Sequence, residues 1–331
     1  MSLECDAVFE GGGVKGIGLI GAIKAVEEFG YDFKNLAGTS AGAIVASLLA
    51  VGYTADELKC EMKQLDYMKF KDEDLIDKLG VIGKSMGLLF EYGIYEGDYF
   101  FQWIERLFQE KGKTTFGDIK IPGEVDERYK YKLNIIASDL TDKKMLILPQ
   151  DLKDFDEDPD KFKLSEAVRM SMSIPIFYEP YKKLKDRKGR THYIVDGGIL
   201  SNYPIWLLDD NTNNPKWPTF GFKFTEDILG MQKKDKANTI SSIIDYTKAL
   251  VGTMMDAHDK QYVSTTRGDI DRTIIIPVVV NVDGVDKKIS TTDFDITKEE
   301  SEALYMNGYN AANKFLDQWN FEEWKCKFRM N

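Results

Sequence analysis

Short apolar runs alternate with helical patterns along the first half of the chain. Ala7-Val8-Phe9 is strand-like and leads straight into Gly11-Gly12-Gly13-Val14-Lys15-Gly16. Apolar residues then recur at helical spacing from Ile17 to about Phe29 and stop at Gly30. The pattern repeats: Asn35-Leu36-Ala37-Gly38 runs into Thr39-Ser40-Ala41-Gly42, and a small-residue apolar helix follows from Ala43 to Val51. Two consecutive units of strand, tight turn and helix are expected. Thr54-Ala55-Asp56-Glu57 is a capping box that opens a further helix, and Thr297-Lys298-Glu299-Glu300 is a second. Residues 84–108 are dense in aromatics and leucine. Further strands are expected at Lys132 to Ala137, Met145 to Leu148, Tyr193 to Val195, Phe220 to Phe224 and Thr273 to Val280. Helical patterns recur at 163–172, 239–263 and 298–319. Strands interleaved with helices imply an α/β sheet with helices on both faces. No internal repeat is visible. The charged stretch Asp151 to Lys163 has no core pattern and reads as a solvated loop. Its Asp154, Asp156 and Asp158 echo a calcium loop, but Pro159 stands where that loop needs glycine and Ser165 where it needs glutamate.

Composition narrows the class. A chain of 331 residues, 43% hydrophobic, can bury one large core or a core domain with an extension. A formal net charge of −11 argues against sequence-independent nucleic-acid binding, which needs Lys and Arg to meet phosphates, and against a polybasic membrane anchor. The three cysteines, Cys5, Cys60 and Cys326, outline neither a zinc site nor a disulfide framework, and they suit a reducing compartment. The longest apolar run, Ala41 to Val51, is far short of the ~20 residues of a spanning helix, and no secretory pattern opens the chain. A soluble, cytoplasmic protein is expected.

Three turns carry candidate chemistry. Gly38-Thr39-Ser40-Ala41-Gly42 fits G-x-S-x-G. A nucleophilic serine stands at a strained strand-to-helix turn, and glycines two residues to either side relieve the crowding. The following helix points its positive end at the serine. Gly11 to Gly16 fits G-x-G-x-x-G. Bare amides in such a loop receive either a dinucleotide pyrophosphate or the oxyanion of an ester intermediate. The dinucleotide reading wants an acidic residue at the end of a second strand about 20 positions on. Asp32 is near that distance, but no strand leads into it. The closeness of the loop to Ser40 favours the ester reading.

The base is the open question. His192 and His258 are the histidines of the chain. The order Ser40, Asp196, His258 matches nucleophile, acid and histidine of a hydrolase, yet His258 falls inside a helical stretch between Asp256 and Asp259, where a surface histidine is the better reading. Asp196-Gly197-Gly198 ends a strand, on the edge where α/β sheets place their sites. A carboxylate with a pKa near 4 is a poor base for a hydroxyl. Burial with a direct contact to the hydroxyl raises its basicity.

Together the three turns resemble the patatin-like phospholipase family: a G-G-G-x-[K/R]-G loop, a G-x-S-x-G elbow and a D-G-[G/A] turn, in that order. Thr115-Phe116-Gly117-Asp118, Leu133 to Asp139, Ala167 to Pro175, Asn202 and Pro204 support the match. It covers residues 5–208 well. Beyond them it rests on Thr291-Thr292-Asp293-Phe294-Asp295 and the helix after it, so 209–331 is expected to be a C-terminal extension of mixed helix and strand on the same domain. The resemblance implies a modified α/β-hydrolase, three layers (α/β/α) around a mainly parallel sheet. It implies a lipid acyl hydrolase with a Ser–Asp dyad and neither metal nor cofactor. Ser40 would be the nucleophile and Asp196 the general base. Amides at Gly11, Gly12, Gly13 and Ala41 would hold the oxyanion, with Gly16, Gly38, Gly42, Gly197 and Gly198 shaping the turns. Lys15 is a candidate for attracting a lipid phosphate. The aromatic stretch and a helix near Met254 and Met255 are candidates for the wall of an acyl trough. The partner is a lipid or lysophospholipid, met transiently at a membrane or micelle surface. An acyltransferase with the same dyad, or a non-catalytic nucleotide-binding protein using the glycine loop, is the alternative.

Overall fold

Strand β1 (Leu3–Phe9), helix α1 (Gly16–Glu28), strand β2 (Tyr31–Thr39) and helix α2 (Ala41–Val51) form the two consecutive units that the pattern predicts. In this computed structural model the described residues are 3–64, 98–175, 177–209, 214–226, 267–291 and 293–330, together with Thr212 and Thr253. The expected helix at 239–263, with His258, Met254 and Met255, and the aromatic positions before residue 98 lie outside them.

Helices α3 (Ala55–Gln64) and α4 (Asp98–Glu110) follow, then β3 (Leu133–Asp139), β4 (Lys144–Leu148), α5 (Leu164–Ser171) and β5 (Ile194–Asp196). The C-terminal part adds β6 (Thr219–Thr225), β7 (Thr273–Pro277), the hairpin β8 (Val279–Val282) and β9 (Val285–Lys288), α6 (Lys298–Leu316) and α7 (Phe321–Phe328). Both capping boxes close at the helix starts where the sequence places them.

The central sheet runs β4-β3-β2-β1-β6-β7, with β5 also paired to β3. The pairs β1–β2, β1–β6, β2–β3 and β6–β7 are parallel, while β4 and β5 run antiparallel to β3. β6 joins β1 directly, so residues beyond 208 extend the same sheet. One face of the sheet, with Ala7, Phe9, Ile135 and Phe222, packs into the main helical core. On the other face Val8, Ala37 and Ile136 lie under Tyr203, Ile205, Leu207 and Leu208. Buried on both faces, β3 reads as an unbroken apolar run apart from Asn134, Ser138 and Asp139.

Two departures from the pattern have local causes. The single strand expected from Thr273 to Val280 is two, broken at Pro277, which has no N–H to donate. Asn307 on α6 donates to the carbonyls of Pro277 and Val279 at 3.0 and 2.9 Å and so pins the break. Within the charged stretch after Asp151, a short 3-10 turn buries Leu152 and Phe155. Its carboxylates serve as surface partners instead: Asp154 pairs with Lys144 and Asp158 with Lys161. No helix among the described residues is long and apolar enough to cross a membrane.

Candidate active site

Ser40 sits between β2 and α2 with φ 54° and ψ −123°, outside the regions that L-residues favour. The turn tolerates this because its flanks carry no side chain. A Cβ on Gly38 would stand 2.3 Å from the Gly42 carbonyl oxygen, and one on Gly42 would stand 2.3 Å from that of Phe9. The Ser40 N–H donates to Ser171 Oγ at 2.9 Å, and Ser171 Oγ donates to the Ile136 carbonyl at 2.6 Å. Thus α5 fastens the turn to the neighbouring strand. Ser171 lies in the family-like stretch Ala167 to Pro175, but its bracing role is not legible there, because a small polar residue in the last turn of an amphipathic helix is also the pattern of an ordinary helix end.

Asp196 ends β5, opposite Ala137 of β3. Its N–H donates to the Ser173 carbonyl at 2.9 Å. Its Oδ1 accepts from Gly198 N–H at 2.7 Å, while Oδ2 is buried without a closed hydrogen bond. The sharp turn needs glycine at 197, where a Cβ would meet the Ile136 carbonyl at 2.3 Å. Burial raises the carboxyl to about 6, although the Ser40 hydroxyl and the Gly198 N–H both favour its charged form. The Ser40 hydroxyl thus lies within reach of the Asp196 carboxyl.

The segment after this turn links all three motifs. Thr39 Oγ1 donates to the Ser201 carbonyl at 2.9 Å, and Asn202 Nδ2 donates to the Gly11 carbonyl at 3.2 Å. Gly11 N–H donates back to the Asn202 carbonyl at 3.0 Å. That bond takes Gly11 out of the expected set of oxyanion donors. Val14 N–H is likewise occupied, by the Thr291 carbonyl at 3.2 Å. Gly12 and Gly13 keep N–H groups with no acceptor among the described residues, and Ala41 contributes the first amide of α2, which has no partner within the helix. Gly16 opens α1 in helical geometry, with ordinary contact to Ala41.

An apolar pocket with a cavity volume of about 70 Å³ is lined by Ser40 and Ala41. Ile44, Val45 and Leu48 of α2 line it along one helix face, with Leu58 of α3 and Phe100 and Trp103 of α4. The latter two belong to the aromatic stretch singled out from the sequence.

Other candidates fall elsewhere. His192 is buried with Nδ1 at 2.7 Å from Asp139 Oδ2, and it does not line the pocket at Ser40. Lys15 lies over the Phe224 ring, 5.0 Å from its centroid. Among the described residues, Asp139, Asp142 and His192 bring possible metal ligands within 4.8 Å of one another. Asp139 is bonded to His192 at 2.7 Å, and Asp142 pairs with Arg190 at 2.9 Å.

The sheet order and the serine elbow define a class, the patatin-like α/β fold. Residues 7–209 match the patatin-like phospholipase family, and the chain belongs to it. It is 37% identical over 316 residues to the uncharacterized protein YqhO of Bacillus subtilis, covering 96% of this chain and 99% of that one. It is 25% identical over 201 residues to 463L of Invertebrate iridescent virus 6, named a probable lipid hydrolase, covering 60% and 61% of the two chains. VipD from Legionella pneumophila shares the fold, with a TM-score of 0.53 at 19% identity over 95% of this chain; the match spans 66% of that longer chain.

Proposed function

We propose that the protein hydrolyses acyl esters of lipids, phospholipids or lysophospholipids, through a Ser40–Asp196 dyad and an acyl-enzyme. Family membership supports lipid hydrolysis as the class of activity. The observation that carries the finer reading is a strained serine with a buried carboxyl acting on its hydroxyl, while the serine itself, Gly13 and Ala41 line an apolar pocket.

Asp196 takes the Ser40 proton as Oγ attacks the ester carbonyl carbon. The negative oxygen of the tetrahedral intermediate is received by the Gly12, Gly13 and Ala41 amides. The carbon–oxygen bond to the alcohol then breaks, and the protonated Asp196 returns its proton to the leaving oxygen. A water molecule, deprotonated by the same carboxylate, attacks the acyl-serine; Ser40 recovers its proton and a fatty acid departs. The acyl chain occupies the pocket along α2, while the head group stays outside. The substrate is met at a bilayer or micelle surface.

The test is digestion of a mixed phospholipid and lysophospholipid dispersion followed by mass spectrometry. Wild type is expected to release fatty acids and the matching deacylated lipids, and Ser40→Ala to release neither. Equal release by both proteins would overturn the reading.

A further inference from the structure

We infer that Ser290, Thr291, Asp293 and Phe294, all outside the residues that match the family, complete the active site: the turn they form positions the oxyanion loop, and Phe294 selects the acyl chain. The inference rests on the esterase reading above and names the residues that set its specificity.

The contact with the glycine loop is made by backbone. The Thr291 carbonyl accepts from Val14 N–H at 3.2 Å. Gly13 has φ 54°, and a Cβ there would stand 2.0 Å from the same oxygen. Only glycine lets the two chains approach this closely. By occupying Val14 N–H and pressing on Gly13, Thr291 fixes the loop in the shape that leaves the Gly12 and Gly13 amides unspent.

The turn is itself braced. Ser290 N–H donates to Asp293 Oδ2 at 2.8 Å, and Asp293 N–H donates to the Ser290 carbonyl at 3.3 Å. Ile296 N–H then donates to the Asp293 carbonyl at 3.0 Å. On the other side, Ile289 is buried and its N–H donates to the Val278 carbonyl at 2.9 Å, which ties the turn to the strand break at Pro277. The oxyanion loop is thus backed by the sheet through a second segment, independent of the Asn202 link.

Phe294 extends from this turn into the apolar pocket that holds Ser40 and Ala41. Val45 and Leu48 line the same pocket from α2, Leu48 lying about 12 Å along the helix from the serine. That length matches about three and a half extended residues, or roughly ten chain bonds, so a chain of about ten carbons spans from the serine to Leu48. A short acyl group reacts at Ser40 without reaching that far. As part of the pocket wall, Phe294 matters more to long chains, which lay more carbon against the lining, than to short ones, whereas Asp293, acting through the loop, matters to both.

The experiment compares steady-state hydrolysis of butanoyl and decanoyl 4-nitrophenyl esters by wild type, Ser40→Ala, Asp293→Ala, Asp293→Asn, Phe294→Ala and Phe294→Leu. Phe294→Ala is expected to lower kcat/KM for the decanoyl ester about tenfold and to change the butanoyl value less than twofold. Phe294→Leu keeps apolar volume should the alanine variant unfold, and is expected to lower the decanoyl-to-butanoyl ratio less. Asp293→Ala is expected to lower kcat for both esters with KM little changed, and Asp293→Asn, which keeps an acceptor oxygen, to recover most of it. If the Phe294 and Asp293 variants leave rates unchanged, or reduce both esters in proportion to lost folded protein, the inference fails while the esterase reading stands. If Ser40→Ala retains turnover, the esterase reading fails and this inference falls with it.

Discussion

Asp196 shows how one residue is tuned against its own solvation. A free aspartate is ionised well below neutrality, whereas burial holds this one to about 6. As the proposed base, Asp196 would work only when deprotonated, so kcat/KM is expected to rise with pH through about 6 and level off, as a pH–rate profile at constant ionic strength would show. A flat profile from pH 4.5 to 8.5 would speak against Asp196 as the base. The same shift has a cost in stability. Between about pH 4 and 6 the folded protein holds a proton that the unfolded chain has lost, so stability falls as pH rises through that window. The penalty is fully present above about 6 and is on the order of 3 kcal/mol at ~1.4 kcal/mol per unit. Asp196→Asn is therefore expected to unfold at higher denaturant concentration than wild type at pH 8, and the gap should close below about pH 4. Asp196 was legible in the sequence because a strand end followed by two glycines is a local pattern. Ser171 was not, because its role exists only once α5 meets the turn of β2.

At the scale of elements, the elbow is held from two sides, by the small flanks of Gly38 and Gly42 and by Ser171 on α5. Ser171→Ala leaves the buried Ser40 N–H without an acceptor, which costs about 1–3 kcal/mol. A lower midpoint in urea and a fall in kcat/KM larger than the loss of folded protein are expected; a variant matching wild type in both would remove Ser171 from the account. Most elements could be read from pattern, since Ala7 to Phe9 of β1 and Ile135 to Ala137 of β3 are short apolar runs and α3 and α6 carry capping boxes. The misreadings arose where tertiary contacts decide. Pro277 splits a run that looks continuous, and Asn307, thirty residues on, holds the split. Val285–Lys288 is exposed throughout and among the described residues pairs with β8 alone, so no apolar alternation announces it. Leu152 and Phe155 are buried within a stretch whose charges dominate its composition.

Across the whole molecule, the site joins residues far apart in the chain, and the sheet brings them together. β2 delivers Ser40, β5 delivers Asp196, and the segment around Asn202 locks both to the glycine loop. The C-terminal part is secured at the opposite end. Arg329 donates to both oxygens of Asp209 at 3.0 and 2.8 Å, and Arg272 bridges Asp209 and Asp269 at 3.1 and 2.7 Å, all buried beside Trp324. Charges this deep are costly to leave unpaired, so the network fixes where α7 returns to the sheet. The central claim is that Ser40 becomes covalently acylated with Asp196 as its base. Incubation with a long-chain fluorophosphonate, read by intact mass and peptide mapping, tests it most directly. The account predicts one adduct per chain, on Ser40, absent in Ser40→Ala and formed much more slowly in Asp196→Asn. An adduct on another residue, or undiminished labelling of the Asp196→Asn variant, would contradict it.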